Sequence, residues 1–199
     1  MQRTIWLIGM AVLAGLIAVW LLAFAQPYSY HGSLIEPPMA APPIELTRAD
    51  GSLYRLSDQR GKVTLLFFGY TTCPDFCPAT MAEIKRVKAD LSAYADRLDV
   101  VFITVDPQRD NPQRIQSYAA GFDPQFIGLS GSEEELSPIW KAYGVYRKIQ
   151  EGQTALGYLV DHSTRVYLID PAGNLRLTFA YGTSPEDIAA DIRQVLKEK

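Results

Sequence analysis

Cysteine and histidine are scarce in this 199-residue chain: two of each, Cys73 and Cys77, His31 and His162. Two cysteines allow at most one disulfide within the chain. There is no run of Lys or Arg, and the formal net charge is −3. Without a basic face to replace the counterions on a phosphate backbone, nucleic acid is not an expected partner. Internal repeats are absent. So are charged side chains from Ile5 to Ala25, and no Lys or Arg stands between Arg3 and Arg48.

That uncharged stretch, IWLIGMAVLAGLIAVWLLAFA, is 21 residues long. As a helix rising ~1.5 Å per residue it spans roughly 31 Å, the thickness of a bilayer core. A cleaved signal peptide is the competing reading, with Ala23-Phe24-Ala25 as a small-x-small site. Signal h-regions run to only ~7–15 residues, which favours an uncleaved anchor. Arg3 on one side and no cation on the other put the N-terminus in the cytoplasm and the rest of the chain outside. No Arg/Ser-rich transit segment precedes the anchor, so a bacterial plasma membrane is expected rather than an organelle. The expected organisation is an anchor over residues 1–25, a proline-rich linker over 26–43 and one globular domain over 44–199. The linker QPYSYHGSLIEPPMAAPPI has five prolines and no amphipathic period, so it reads as an extended spacer.

In the domain, the Asp-Gly turn of RADGSLYRL predicts a hairpin. Val63–Phe68 is too continuously apolar for a half-exposed strand and reads as a buried central one. Met81, Ile84, Val87, Leu91 and Tyr94 recur every three or four residues, predicting a helix from about Pro78 to Tyr94. Val100–Val105 is a second buried strand. Asn111-Pro112 opens a helix to about Ala120, Phe126–Leu129 is a short strand, and Ser132-x-x-Glu135 is a capping box for a helix ending near Gly144. Two short strands around a glycine loop fit 145–160. RVYLIDPAGNLRLTF reads as a hairpin, and Ser184-Pro185 caps a last helix with Ile188, Ile192, Val195 and Leu196 inward. The fold class is α/β: a thioredoxin-like central mixed sheet flanked by helices.

Chemistry concentrates in FGYTTCPDFCPATM. Three residues separate Cys73 from Cys77, where thioredoxin-type centres have two. Cys77 falls where a helix begins, so partial positive charge favours thiolates there. An i, i+4 spacing within a regular helix holds Cβ atoms ~5–6 Å apart. A disulfide needs them ~3.5–4.5 Å apart, so the pair oxidises only if Cys73 lies outside the regular helix. The wider spacing leaves room for an ion. The loop closed by such a disulfide is too small to stabilise much, which favours chemistry over a staple. His162, in YLVDHSTRVYLID, is the candidate third ligand, and packing within its own loop is the alternative. His31 reads as a solvated linker residue. Two thiolates and one imidazole suit Cu(I) better than structural zinc, which normally takes four protein ligands. Asp75 and Asp161 are candidates for a harder fourth ligand toward Cu(II), for orienting the ligands, or simply for turns and caps. In TVDPQRDNP, Asp106 and Asp110 fit turn and cap positions.

FGYTTCPDFCPATM, TVDPQRD and VDHSTRVYLIDPAG, in that order behind one anchor, resemble the Sco/SenC family of cytochrome c oxidase assembly proteins. The resemblance covers the chain from about Ile44 onward. It implies a thioredoxin-like fold, copper as the metal, and Cys73, Cys77 and His162 as its ligands. It implies as partners subunit II of the oxidase, whose dinuclear copper site is assembled, together with a copper donor and a thiol reductant. It also leaves open a redox role in which Cys73 and Cys77 reduce the subunit II cysteines without delivering copper. A peroxiredoxin-like peroxidase fits less well, because Thr72 directly precedes Cys73 instead of standing three residues ahead. An adaptor with a merely structural disulfide is the remaining alternative.

Overall fold

The structure, a computed structural model, describes residues 2–24, 28–154 and 157–198. Helix α1 (Gln2–Phe24) carries the uncharged run, and its span Gln2–Trp20 is long and apolar enough to cross a membrane. The rest of the described chain builds a six-stranded sheet in the order β1 (Ser33–Ala40), β10 (Asn174–Phe179), β9 (Val166–Ile169), β4 (Val63–Gly69), β5 (Leu98–Thr104), β6 (Ile127–Leu129).

At the centre of this sheet β4 (Val63–Gly69) is buried at every residue, as its unbroken apolar run requires. It runs parallel to β5 (Leu98–Thr104), which in turn pairs in parallel with β6 (Ile127–Leu129). On its other side it pairs antiparallel with β9 (Val166–Ile169), the first strand of a hairpin with β10 (Asn174–Phe179). Alternation sends neighbouring side chains to opposite faces. The Phe67 ring stacks on Phe102, whereas Phe68 packs edge-on against Tyr167 and tilted against Tyr143. Both faces are covered: α2 (Phe76–Asp90) packs on α5 (Pro185–Val195) and α3 (Pro112–Phe122), and Leu136, Ile139 and Trp140 of α4 (Glu133–Ala142) enter the core. Full burial of a side chain of this size contributes about 1.5–3 kcal/mol, so the core rests mainly on this two-sided strand layer.

The helix starts follow the local chemistry. Asn111 accepts the Arg114 N–H at 2.8 Å, Ser132 and Glu135 form the reciprocal capping box, and Ser184 accepts the Asp187 N–H at 3.1 Å. The helix expected to reach Tyr94 ends sooner. α2 stops at Asp90 and Ser92 takes φ 50°, turning the chain into a 3-10 segment over Ser92–Arg97 that leaves Tyr94 exposed. Two further hairpins lie outside the main ladder, β2–β3 (Glu45–Thr47, Leu53–Arg55) and β7–β8 (Arg147–Thr154, Gly157–His162).

The spacer expected over 26–43 is largely part of the domain. Ser33–Ala40 forms β1, antiparallel to β10, with its register broken between Leu34 and Met39 where Pro37 and Pro38 lie. Proline cannot donate to a ladder, but an edge strand with a bulge tolerates it, so the absence of an amphipathic period did not mean the absence of a strand. His31 is likewise not a free solvated residue. The backbone N–H groups of His31 and Gly32, the Tyr28 hydroxyl (2.8 Å) and the His31 ring Nδ1 (2.9 Å) all meet the fully buried carboxylate of Asp191 on α5. Residues 25–27 lie outside the described residues.

Candidate metal centre

The chain leaves β4 at Gly69 and turns through Tyr70-Thr71-Thr72, with the Cys73 N–H reaching back to the Tyr70 carbonyl at 3.3 Å. α2 begins at Phe76, so Cys73 precedes the helix and Cys77 occupies its first turn. No side chain of Asp75 caps this helix. Instead the Cys77 N–H points at the Cys73 sulfur, 3.4 Å away. A sulfur that accepts a helix-terminal N–H gains from carrying negative charge. Because Cys73 lies outside the helix, the i, i+4 objection to a disulfide does not apply. Both cysteines are free thiols here.

Gly69 is what lets the second sulfur in. A Cβ built on it would stand 2.8 Å from the Cys77 Sγ and 2.7 Å from the Phe102 ring. Cys77 is fully buried and Cys73 nearly so.

His162 is the last residue of β8 and pairs with Arg147 across the β7–β8 hairpin. Its Nε2 lies 3.4 Å from the Cys77 Sγ. Its Nδ1 faces the Ser163 carbonyl at 2.8 Å, and a carbonyl can only accept. The ring proton is therefore fixed on Nδ1, and the Nε2 lone pair is directed at the sulfurs. Phe67 and Tyr70 stand edge-on to the imidazole, with ring centroids 6.3 and 5.7 Å away. One donor atom from each of Cys73, Cys77 and His162 lies within 4.8 Å of the other two.

The two thiols differ in acidity. Hydrogen bonding from the Cys77 thiol, with the backbone N–H groups of Cys77 and Asp75 adding to it, holds Cys73 well below the ordinary thiol range against the opposing effect of burial. Cys77 is pushed up, because its proton is held by Cys73 and its sulfur is buried. The proton held between the two sulfurs is the one that a bound soft cation would have to displace. Burial pushes the Tyr70 phenol up to about 12, so it stays neutral beside the sulfurs.

The site opens into a cleft of about 370 Å³ lined by Cys73, Asp75, Phe76, Asp161 and His162 among others. Asp75 and Asp161 are at its wall, yet neither joins the cluster of three donors among the described residues. The exposed Asp161 carboxylate accepts from the Gln150 amide.

A family model described as SCO1/SenC matches residues 34–197. The chain belongs to the SCO1/SenC family. A SCO2-like protein of Rickettsia prowazekii (strain Madrid E) is 34% identical over 149 residues, covering 73% of this chain and 72% of that protein. The mitochondrial SCO1 homolog of Homo sapiens is 32% identical over 187 residues, covering 93% of this chain and 62% of its own length. The structure of Bradyrhizobium japonicum ScoI with copper bound superposes with a TM-score of 0.71 at 36% identity, covering 78% of this chain and 99% of that one. The SCO1/SenC match begins inside β1, in keeping with that strand being part of the sheet.

Two residues beside this SCO1/SenC site, Asp106 and Asp110, do more than the turn and cap positions expected of them. Asp110 is fully buried and accepts the Thr71 N–H at 2.9 Å, the Thr71 hydroxyl at 2.5 Å and the Thr104 hydroxyl at 2.9 Å. Asp106, also fully buried, pairs with Arg109 and accepts the Tyr158 hydroxyl at 2.6 Å. Asp106 does open a turn, its carbonyl accepting the Arg109 and Asp110 N–H groups at 3.1 and 3.0 Å, but that role does not account for the burial of either carboxylate. The available signal was two carboxylates at the carboxyl end of a buried strand, where the crevice of an open α/β sheet lies.

Proposed function

We propose that the chain is a membrane-anchored copper-binding protein that assists assembly of the dinuclear copper site in subunit II of cytochrome c oxidase. One observation carries this reading: two sulfurs and an imidazole nitrogen from distant segments converge within 4.8 Å. Cys73, Cys77 and His162 would hold the ion. Soft sulfur donors favour Cu(I), and three protein donors leave the set one short of a structural zinc site. The ion is cargo in this reading, taken from a donor and passed to subunit II. The copper-bound state of Bradyrhizobium japonicum ScoI adds support. Helix α1, with Arg3 in its first turn and no further Lys or Arg until Arg48, would anchor the chain with the domain on the extracytoplasmic side. The anchor would occupy residues 1–25 as expected, and the domain would begin near Tyr28 instead of Ile44.

A second reading is favoured by the split acidity of the thiols. A sulfur ionised at neutral pH beside a protonated one suits thiol–disulfide exchange. Cys73 thiolate would attack a disulfide in the partner, and Cys77 would then resolve the mixed disulfide. Two electrons pass to the partner, which leaves as a dithiol, while Cys73 and Cys77 become a disulfide. The two roles are compatible, because Cu(I) needs the reduced pair.

Cu(I) titration of the reduced full chain in detergent, against a competing chelator, tests the first reading. One equivalent should bind tightly, and His162→Ala should weaken binding while leaving reduction of a disulfide peptide intact. An unchanged affinity would remove His162 from the site and leave dithiol chemistry alone.

A further inference from the structure

The β7–β8 hairpin carries His162, yet it forms a separate two-stranded sheet. An isolated hairpin is marginal in water and has no ladder to set its position against the main sheet. Something else must hold the imidazole beside the sulfurs.

The segment from Val105 to Asp110 touches both halves of the site. Toward the cysteines, the Val105 N–H donates to the Gly69 carbonyl at 2.8 Å, and Asp110 holds Thr71, two residues ahead of Cys73. Toward the hairpin, the Val105 carbonyl accepts Arg147 Nε at 2.5 Å, and Arg147 is the residue opposite His162 in the ladder. The Tyr158 hydroxyl on β8 donates to Asp106 at 2.6 Å. Arg109, paired with that same Asp106, donates from Nη1 to the Tyr158 carbonyl at 2.9 Å. Its guanidinium lies 3.8 Å from the Tyr158 ring centroid and 5.5 Å from that of Tyr70. Tyr70 closes the circuit by accepting the Val160 N–H at 3.3 Å. Holding a carboxylate and a carbonyl at once while stacking on a ring is something that the planar arginine head does and lysine does not.

We propose that Asp106 and Arg109 form a clasp that fixes the distance between the His162 imidazole and the Cys73–Cys77 sulfurs. Both are positioning residues: they act through Tyr158 and the hairpin without touching the ion. The clasp rests on the copper-site reading for its effect on affinity, but not for its effect on where the imidazole sits. A segment at the end of β5 thus couples two loops that are otherwise joined only through Tyr70 and the core. Losing it leaves the sulfurs in place and lets the imidazole drift, so its cost is felt only where the imidazole is used.

That asymmetry makes the test. Cu(I) affinity is measured by chelator competition on the reduced full chain in detergent for Arg109→Gln and Tyr158→Phe, each alone and combined with His162→Ala. The ring ¹⁵N resonances of His162 are recorded on the copper-free chain. Arg109→Gln should weaken Cu(I) binding by about 10- to 100-fold, the range for residues that orient a metal ligand. Tyr158→Phe, which keeps the ring and its packing, should give a smaller loss in the same direction, and it carries the test if Arg109→Gln fails to fold. Neither change should weaken binding further once His162 is alanine, and the His162 ring resonances should shift in both. Equal losses with and without His162 would overturn the clasp, as would unmoved resonances. If the wild-type chain takes up no Cu(I), the copper-site reading fails instead. The resonances then decide the clasp alone: a shift supports it, and no shift ends it.

Discussion

His162 Nε2 lies 3.4 Å from the Cys77 sulfur, although 85 residues separate the two in sequence. A helix start supplies one and the end of a hairpin strand the other. The Ser163 carbonyl orients the ring and Gly69 vacates the space for the sulfur. Together they leave soft donor atoms aimed at one point.

The space at Gly69 is a strict requirement. Gly69→Ala would set a methyl group 2.8 Å from the Cys77 Sγ and 2.7 Å from Phe102. Both neighbours are buried, so relief must come from moving α2 or the ring. Overpacking of this kind costs about 1–3 kcal/mol. Urea unfolding of the metal-free chain should register that loss, with Cu(I) affinity falling alongside. Wild-type values for both would mean the sulfur has room that the structure does not show.

Cys73 should react as a thiolate at neutral pH. An ordinary thiol titrates near about 8.5, so its alkylation rate climbs between pH 7 and 9. The Cys73 pKa is lowered, first of all by the Cys77 thiol. Iodoacetamide modification of Cys73 in the reduced chain should therefore already be on its plateau at pH 7. Cys77→Ala removes the main cause and should restore a rising profile. The same profile in both proteins would show that the cysteines do not share a proton.

The Asp191 cluster predicts a pH-dependent stability. Hydrogen bonding to Asp191 raises the His31 pKa, with Asp187 adding to it from 3.3 Å. A group whose folded pKa lies above its unfolded value stabilises fully below the unfolded value, here about 6.5, and loses that contribution as pH rises through the folded one. Unfolding midpoints should fall on going from pH 6 upward through this window, and His31→Gln should flatten that part of the profile. Asp191→Asn, which removes the charge accepting from residues 28–32, should cost about 1.5–3 kcal/mol at pH 6. A profile identical in His31→Gln would disconnect the imidazole from stability.

Most of the fold was legible because its signals are local. Unbroken apolar runs marked β4 and β5, apolar spacing marked α2 and α5, and Asn111, Ser132 and Ser184 fixed helix starts to within a residue. β1 was not legible: its prolines suppress strand signals, and only a neighbouring strand with a free edge gives Ser33–Ala40 a partner. The end of α2 was misread because the apolar spacing to Tyr94 continues past a backbone turn at Ser92 that spacing does not encode. Of the site, the cysteine pair announced itself. His162 could be named, but its orientation depends on which way the neighbouring Ser163 carbonyl turns and on the Phe67 and Tyr70 rings from far back in the chain. The burial of Asp106 and Asp110 was hidden for a similar reason. Asp-Pro and Asp-Asn read as turns, and the donors that bury them, Tyr158 and Thr71, lie 52 and 39 residues away.

X-ray absorption at the copper edge on the Cu(I)-loaded full chain tests the central claim most directly. The account requires two sulfur neighbours and one nitrogen neighbour in the wild type, and loss of the nitrogen alone in His162→Ala. A two-sulfur spectrum that is the same in both proteins would contradict it.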